Sequence, residues 1–228
     1  MGGFGRSAEK MTSSNTCYMC DSAATSEEHV PPKCVFPKRT SLRKNLIKVP
    51  SCDVHNLRKS KDDELLRHIL AAAPANNQIA LDLVGTVLRS FDRRPHIIGT
   101  FLPDLTEVTV GDTVTASFTI DLPRFTASIE SVVRALHFNV FGKKLLVTLR
   151  VAWSPLMTSD LSETPFLKII QAGENYYPPM RFGDNKEVFQ FDFHSSNDSS
   201  LGLCRLRFYE GHPFYVTWRN VAAESGKQ

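Results

Sequence analysis

The sequence contains two short pairs of metal-ligand residues that are about thirty residues apart. Cys17-x-x-Cys20 comes first and Cys52-x-x-His55 comes second. A two-residue gap lets one turn present both side chains to the same ion, and structural zinc is held tetrahedrally by four such sulfur and nitrogen ligands. The spacing therefore predicts one structural zinc ion that is bound by both pairs.

The other cysteines fit this interpretation. Cys34 is an alternative to His55 as fourth ligand, but its proline-flanked position lies outside the spacing of a pair, so His55 is favoured. Cys204 lies alone in a strand-like run and is predicted to be a small buried apolar residue. An odd number of cysteines, four of them clustered, argues against a secreted disulfide framework and favours metal binding.

Positive charge is concentrated around the second pair. Residues 33–61 contain nine lysines and arginines against one acid, Asp53, whereas the whole chain has a formal net charge of only +3. The remainder of the chain is therefore net acidic. Localised positive charge beside a metal site is typical of proteins that bind a polyanion such as DNA.

The residues between and after the two pairs carry a resemblance to a known family. Glu28-His29 follows the first pair, Asn45-Leu46 comes next, and Asn56 directly follows the second pair. This order resembles the HNH nuclease family in the zinc-knuckle form of its ββα-metal fold, over residues 17–64. In this chain Glu replaces the usual Asp, His55 replaces a Cys, and Asn56 stands at a position that is often His.

The resemblance implies a metal-dependent DNA endonuclease and gives roles to particular residues. His29 is the implied general base, because a neutral imidazole accepts a proton from water near pH 7. Glu28 and Asn56 are the implied oxygen ligands of one catalytic Mg²⁺ or Mn²⁺. Asn45 is the implied bracing residue, which ties together the loop between the two strands and helps to fix the His29 backbone. Nucleic-acid contacts are expected from the basic residues around them, namely Lys33, Arg58, Lys59 and Lys61.

The periodicity of the chain predicts an α+β protein with three regions. Residues 1–16 are expected to form a flexible tail, and residues 17–72 a zinc-bound HNH domain that ends in a helix over 62–72. Residues 75–228 are expected to form an α+β targeting or dimerisation domain, mainly an antiparallel sheet with packed helices. Its predicted elements are helices over 76–91 and 121–142, a hairpin around Gly111-Asp112, and strands over 145–153, 188–194, 203–210 and 213–218.

Location, partners and alternative functions complete the expectations. No run of about 18 apolar residues occurs and the first residues lack a signal-peptide core, so we expect a cytoplasmic protein without membrane contact. DNA is the expected partner, and a homodimer is one arrangement that the second domain would serve. The alternative is a non-catalytic zinc-finger-like module that binds nucleic acid or protein. A third hypothesis makes the zinc region a staple for a ligand-sensing C-terminal domain.

Overall fold

The computed structural model describes residues 16–38, 40–56, 59–73, 75–153, 182–196, 200–211 and 213–219. Within these ranges the protein is a mixed α+β structure with antiparallel sheets, which confirms the predicted class. The predicted tail lies outside the described residues except for Thr16, and Arg58 lies outside them as well.

The N-terminal part of the fold is a two-stranded hairpin followed by a helix. Strand β1 (Ser26–Val30) pairs antiparallel with β2 (Ile47–Ser51), and this register places Glu28 opposite Val49. Helix α1 (Ser60–Ala72) follows, with two acids in its first turn, where the helix dipole favours negative charge. This strand–strand–helix order positions the candidate site.

Helix α2 (Gln78–Arg93) begins at an asparagine cap and buries one apolar face. The Asn77 side chain accepts hydrogen bonds from the backbone N–H groups of the first turn. The buried positions include Leu83, Val87 and Phe91, which share the four-residue spacing that predicted the helix. The chain then continues through the short helix α3 (Ile98–Phe101).

Along the chain, the longest of the described helices comes after a solvent-exposed hairpin and before the strands of the large sheet. Strands β3 (Thr106–Val110) and β4 (Thr113–Ser117) form the predicted hairpin, and α4 (Leu122–Phe141) follows it. Asp121 caps α4 by accepting a hydrogen bond from the Arg124 N–H at 3.2 Å, and Gly142 ends the helix at a left-handed φ of 66°. None of the described helices has the length and apolar character that crossing a membrane requires.

Four strands form the large antiparallel sheet. They are β5 (Leu149–Trp153), β6 (Phe189–Ser195), β7 (Leu201–Phe208) and β8 (Phe214–Arg219), in the spatial order β5-β8-β7-β6. Cys204 is buried, as the sequence predicts, and Trp153 and Trp218 are buried as well. Ring contacts from His137 of α4 to Phe193 and Trp218 show that α4 packs on one face of this sheet.

Helix α4 also packs against the N-terminal hairpin and helix. It contacts β1, β2 and α1. Because of this packing, buried apolar residues that precede residue 72 in the chain and those that follow residue 75 form one continuous core. A polar clamp adds to this packing, because the Lys144 ammonium donates to the Cys20 carbonyl at 2.7 Å and to the Asp21 carboxylate at 2.8 Å. The two predicted regions therefore meet over an extensive interface.

His68 of α1 gives this core a pH-dependent stability. Its ring is buried against Phe91 and Phe101, and burial lowers its pKa to about 4. An unfolded histidine has a pKa of about 6.5. The unfolded chain therefore binds more protons between pH 6.5 and pH 4, and stability is lost as the pH falls through this window.

Replacing His68 by phenylalanine is expected to flatten that pH dependence. The difference in unfolding free energy between pH 7 and pH 4 should shrink by up to about 3 kcal/mol, since no proton binds at this position in either state. Denaturant unfolding at several pH values measures it. His96→Phe, at an exposed position, is the control, and an equal change in both variants would contradict the assignment.

Candidate metal centre and adjoining cleft

Two turns bring the four predicted zinc ligands together. Cys17 and Cys20 lie in the turn before β1, where the Cys17 N–H donates to the Ser22 carbonyl and the Met19 N–H donates to the Cys17 sulfur at 3.4 Å. Cys52 directly follows β2, and the chain then turns so that the His55 N–H donates to the Cys52 carbonyl at 3.1 Å. Pairing of β1 with β2 places the two turns side by side.

The distances within this cluster fit tetrahedral coordination. His55 Nδ1 lies 3.4, 3.5 and 3.3 Å from the sulfurs of Cys17, Cys20 and Cys52, and the sulfurs of Cys20 and Cys52 are 3.8 Å apart. Tetrahedral zinc–sulfur and zinc–nitrogen bonds imply edges of about 3.8 Å between sulfurs and about 3.5 Å between sulfur and nitrogen. All four ligand atoms lie within 4.8 Å of one another, so the cluster could hold a metal ion such as zinc.

Cys34 lies outside this cluster. Its thiol donates a hydrogen bond to the Asp63 carbonyl at 3.2 Å, and burial raises the pKa of the thiol to about 11. A thiol that stays protonated is a poor metal ligand. The structure therefore agrees with His55, and not Cys34, as the fourth member of the metal-ligand set.

A cleft of about 430 Å³ opens between β1 and the start of α1. Glu28, His29 and Asn56 all line it, although they come from a strand and from the turn after the second pair. Two of the predicted nucleic-acid contacts, Lys33 and Lys61, line the same cleft. The fold thus brings the predicted base, both predicted ligands of the catalytic ion and two basic side chains to one opening.

Glu28 is the most deeply buried of these side chains. It is 5% exposed, and one carboxylate oxygen forms an ion pair with the Lys59 ammonium. The other oxygen accepts a hydrogen bond from the Ser51 hydroxyl at 3.4 Å. Lys59 also lies 3.6 Å from a carboxylate oxygen of Asp63. Its ammonium is therefore directed into the protein, toward two carboxylates.

His29 and Asn56 present groups that suit their predicted roles. Partial burial, and then the positive charges of Lys33 and Lys48, lower the pKa of His29 below its ordinary value, so the imidazole is neutral at pH 7. The Asn56 side-chain nitrogen donates to the Ser26 hydroxyl at 2.7 Å. Because the amide nitrogen makes this bond, the amide oxygen is the atom that could bind a cation.

Of the remaining predicted site residues, Asn45 is placed apart from this group and Arg58 is not among the described residues. Asn45 lies in the loop before β2 with an exposed side chain and a left-handed φ of 52°, and it is not among the residues that line the cleft. Its predicted bracing role stays a prediction. Arg58 falls outside the described residues, so its predicted contact with nucleic acid stays a prediction as well.

Several residues of the site carry no signal that sequence reasoning used. Asp63 lines the cleft, and burial raises its pKa to about 6, although its place at the start of α1 fits an ordinary first-turn acid. Its spacing of four residues from Lys59 was the one available clue. Tyr18 lies in the turn that contains Cys17 and Cys20, and its hydroxyl forms a hydrogen bond with the hydroxyl of Ser131 in α4. Ser131 also contacts the Lys59 ammonium, although the two residues are 72 positions apart in the chain.

The chain has no match among the known proteins with which it was compared. Protein-family models, curated proteins and solved structures each give none. The residues of the cluster and of the cleft are therefore the basis for inferring a function.

Proposed function

We propose that the protein is a metal-dependent endonuclease of the HNH type, which hydrolyses phosphodiester bonds of DNA. The observation that carries the proposal is the convergence of Glu28, His29 and Asn56 on one cleft, in a chain where Asn56 directly follows a residue of the cysteine–histidine cluster. Each residue type suits the hydrolysis of a phosphodiester. The hairpin followed by a helix is the arrangement that the family resemblance leads one to expect.

The cluster is assigned a structural zinc ion. Three cysteines and one histidine would supply all four ligands of a tetrahedral zinc ion, which would leave no position for water or substrate. Its effect on the reaction is therefore indirect. When bound, it would hold the turn that carries Asn56 against the turn that precedes β1.

Each of the cleft residues has a different role in the proposed hydrolysis. His29 accepts the proton of the attacking water, because its imidazole is neutral and lines the cleft. Glu28 and Asn56 offer the oxygen atoms that Mg²⁺ or Mn²⁺ prefers. When bound, such an ion supplies positive charge to the scissile phosphate and to the leaving oxygen. Lys33 and Lys61 line the same opening, where their ammonium groups would hold the substrate backbone.

Incubation with supercoiled plasmid tests the proposal. We expect nicked or linear DNA with Mg²⁺ or Mn²⁺, none in the presence of a chelator, and recovery of cleavage when the divalent ion is returned. The same incubations with a structured RNA compare the two substrate classes. Intact nucleic acid with every divalent ion tried would contradict the proposal, provided that the protein contains one zinc per chain.

A second candidate function is a non-catalytic zinc module that binds nucleic acid or a protein. It is favoured by the partners that Glu28 and Asn56 already have within the fold, namely Lys59, Ser51 and Ser26. Such bonds brace β1 against β2 and α1 without any reaction. DNA binding that persists in Glu28→Gln and His29→Ala, with no cleavage by the wild type, would identify this function.

A further inference from the structure

Helix α4 reaches the candidate site from outside the region that resembles nucleases. Ser131 of α4 is 5% exposed, and its hydroxyl lies 2.8 Å from the Tyr18 hydroxyl and 3.4 Å from the Lys59 ammonium. Ser131 is separated from Lys59 by 72 residues in the chain. The contact therefore exists only because α4 packs on α1 and on the hairpin.

The Lys59 ammonium needs acceptors from its surroundings because its side chain is only 13% exposed. A buried charge without partners is strongly unfavourable. Three groups surround this ammonium: Glu28 from β1, Asp63 from α1 and Ser131 from α4. The two carboxylates attract it from the side of the cleft, whereas Ser131 holds it from the side of α4.

We infer that Ser131 is a positioning residue of the candidate active site, which fixes Lys59 and, through Lys59, the carboxylate of Glu28. This inference rests on the proposed function for its meaning in catalysis. It gives α4 a role at the site, because this helix supplies Ser131, the hydroxyl that contacts Lys59 beside Glu28. Tyr18 supports Ser131 through the hydrogen bond between their hydroxyls.

The chain offers a matched control on the same helix. Ser128 lies one turn before Ser131 and is buried to the same degree, at 4% against 5%. Its hydroxyl donates to the Arg124 carbonyl of its own helix at 3.0 Å. Ser128→Ala and Ser131→Ala therefore remove the same atom from the same buried face, but only Ser131→Ala removes a contact with Lys59.

Amine labelling of the folded protein, read by peptide mass spectrometry, tests the positioning directly. In Ser131→Ala the labelling rate of Lys59 should rise about fivefold, which corresponds to the loss of one ordinary hydrogen bond of about 1 kcal/mol. Ser128→Ala should leave the rate unchanged. Lys144 is the internal reference, because it is 18% exposed and clamps α4 to the Cys20 turn. Tyr18→Phe should give a smaller rise, and Ser131→Thr should restore protection.

Cleavage kinetics give the second readout. Ser131→Ala should lower kcat about tenfold with little change in KM, since the variant disturbs Glu28 rather than the phosphate contacts. In a Lys59→Met background the same substitution should have no further effect, because Ser131 acts through Lys59. Additive losses in the double variant would mean that Ser131 acts independently of Lys59, which overturns the inference.

The labelling result decides the inference whether or not the protein cleaves DNA. Unchanged Lys59 labelling in Ser131→Ala overturns it even if the wild type is an active nuclease. Equal increases at Lys59 and Lys144 also overturn it, because they indicate general loosening of the α4 interface. A selective increase at Lys59 in a protein that cleaves nothing supports the positioning contact and contradicts only the proposed function. If Ser131→Ala does not fold, Tyr18→Phe decides by the same criterion.

Discussion

Replacement of Cys52 by alanine should remove the bound zinc and unfold the hairpin region. Cys52 is 5% exposed and directly follows β2, so a zinc ion held by the cluster would tie the end of this strand to the turn before β1. Structural zinc in small domains contributes about 10–16 kcal/mol of apparent binding free energy at neutral pH. This is comparable to the whole stability of a typical domain, which is about 5–15 kcal/mol.

Metal content and thermal unfolding measure this effect. The wild type should contain one zinc per chain, Cys52→Ala none, and the variant should show a lower Tm and a broader transition. Cys34→Ala is the matched control, because it removes a partly buried thiol from the same region without touching the cluster. It should retain one zinc. Loss of zinc from Cys34→Ala, or its retention in Cys52→Ala, would show that the ligand set is different.

His29→Ala should lower the rate of DNA cleavage by a factor of about 10²–10⁴, the usual contribution of a general base. The half-buried side chain lines the cleft rather than the core, so the variant should fold and keep its zinc. Binding of DNA should change little, because the basic residues remain. Initial rates of plasmid nicking at saturating Mg²⁺ provide the measurement.

An exposed histidine supplies the comparison for this experiment. His96 lies in the short turn before α3, and His96→Ala should cleave at the wild-type rate. Equal rates in wild type and His29→Ala would assign the observed cleavage to a contaminating nuclease or to another site. A variant that loses its zinc together with its activity would leave structural damage as the cause, so metal content is measured on the same samples.

Local sequence signals predicted the secondary structure well because they depend on near neighbours. Asp121 before Pro123 and Gly142 at the far end mark the two ends of α4, where a cap and a left-handed residue are required. The four metal-ligand residues were predictable for the same reason, since the spacing within each pair is set by one turn. Glu28-His29 was recognisable only through its place between those pairs.

The contacts made across the fold were not predictable from these signals. Sequence reasoning assigned Lys59 to the nucleic-acid surface, whereas the structure directs its ammonium to Glu28 and Asp63. That orientation depends on α4, which begins more than sixty residues later in the chain. Hydrophobic periodicity identifies the buried face of each helix, but it does not identify the element against which that face packs. In the sequence, Ser131 is only a small residue on the apolar face of a helix. Its partners, Tyr18 and Lys59, become visible only when the packing of α4 is known.

The continuous core between α4 and the first hairpin bears on how this protein could be reused. Residues 17–72 contain every predicted ligand and the predicted base, which invites their transfer onto a DNA-binding protein as a short cassette. Such a cassette would expose the apolar side of α1, including Leu66 and Leu70, that is now buried in the shared core. It would also lose Ser131 and the Lys144 clamp. A transplant that keeps α4 and the sheet beneath it is therefore the smallest unit that preserves this cleft.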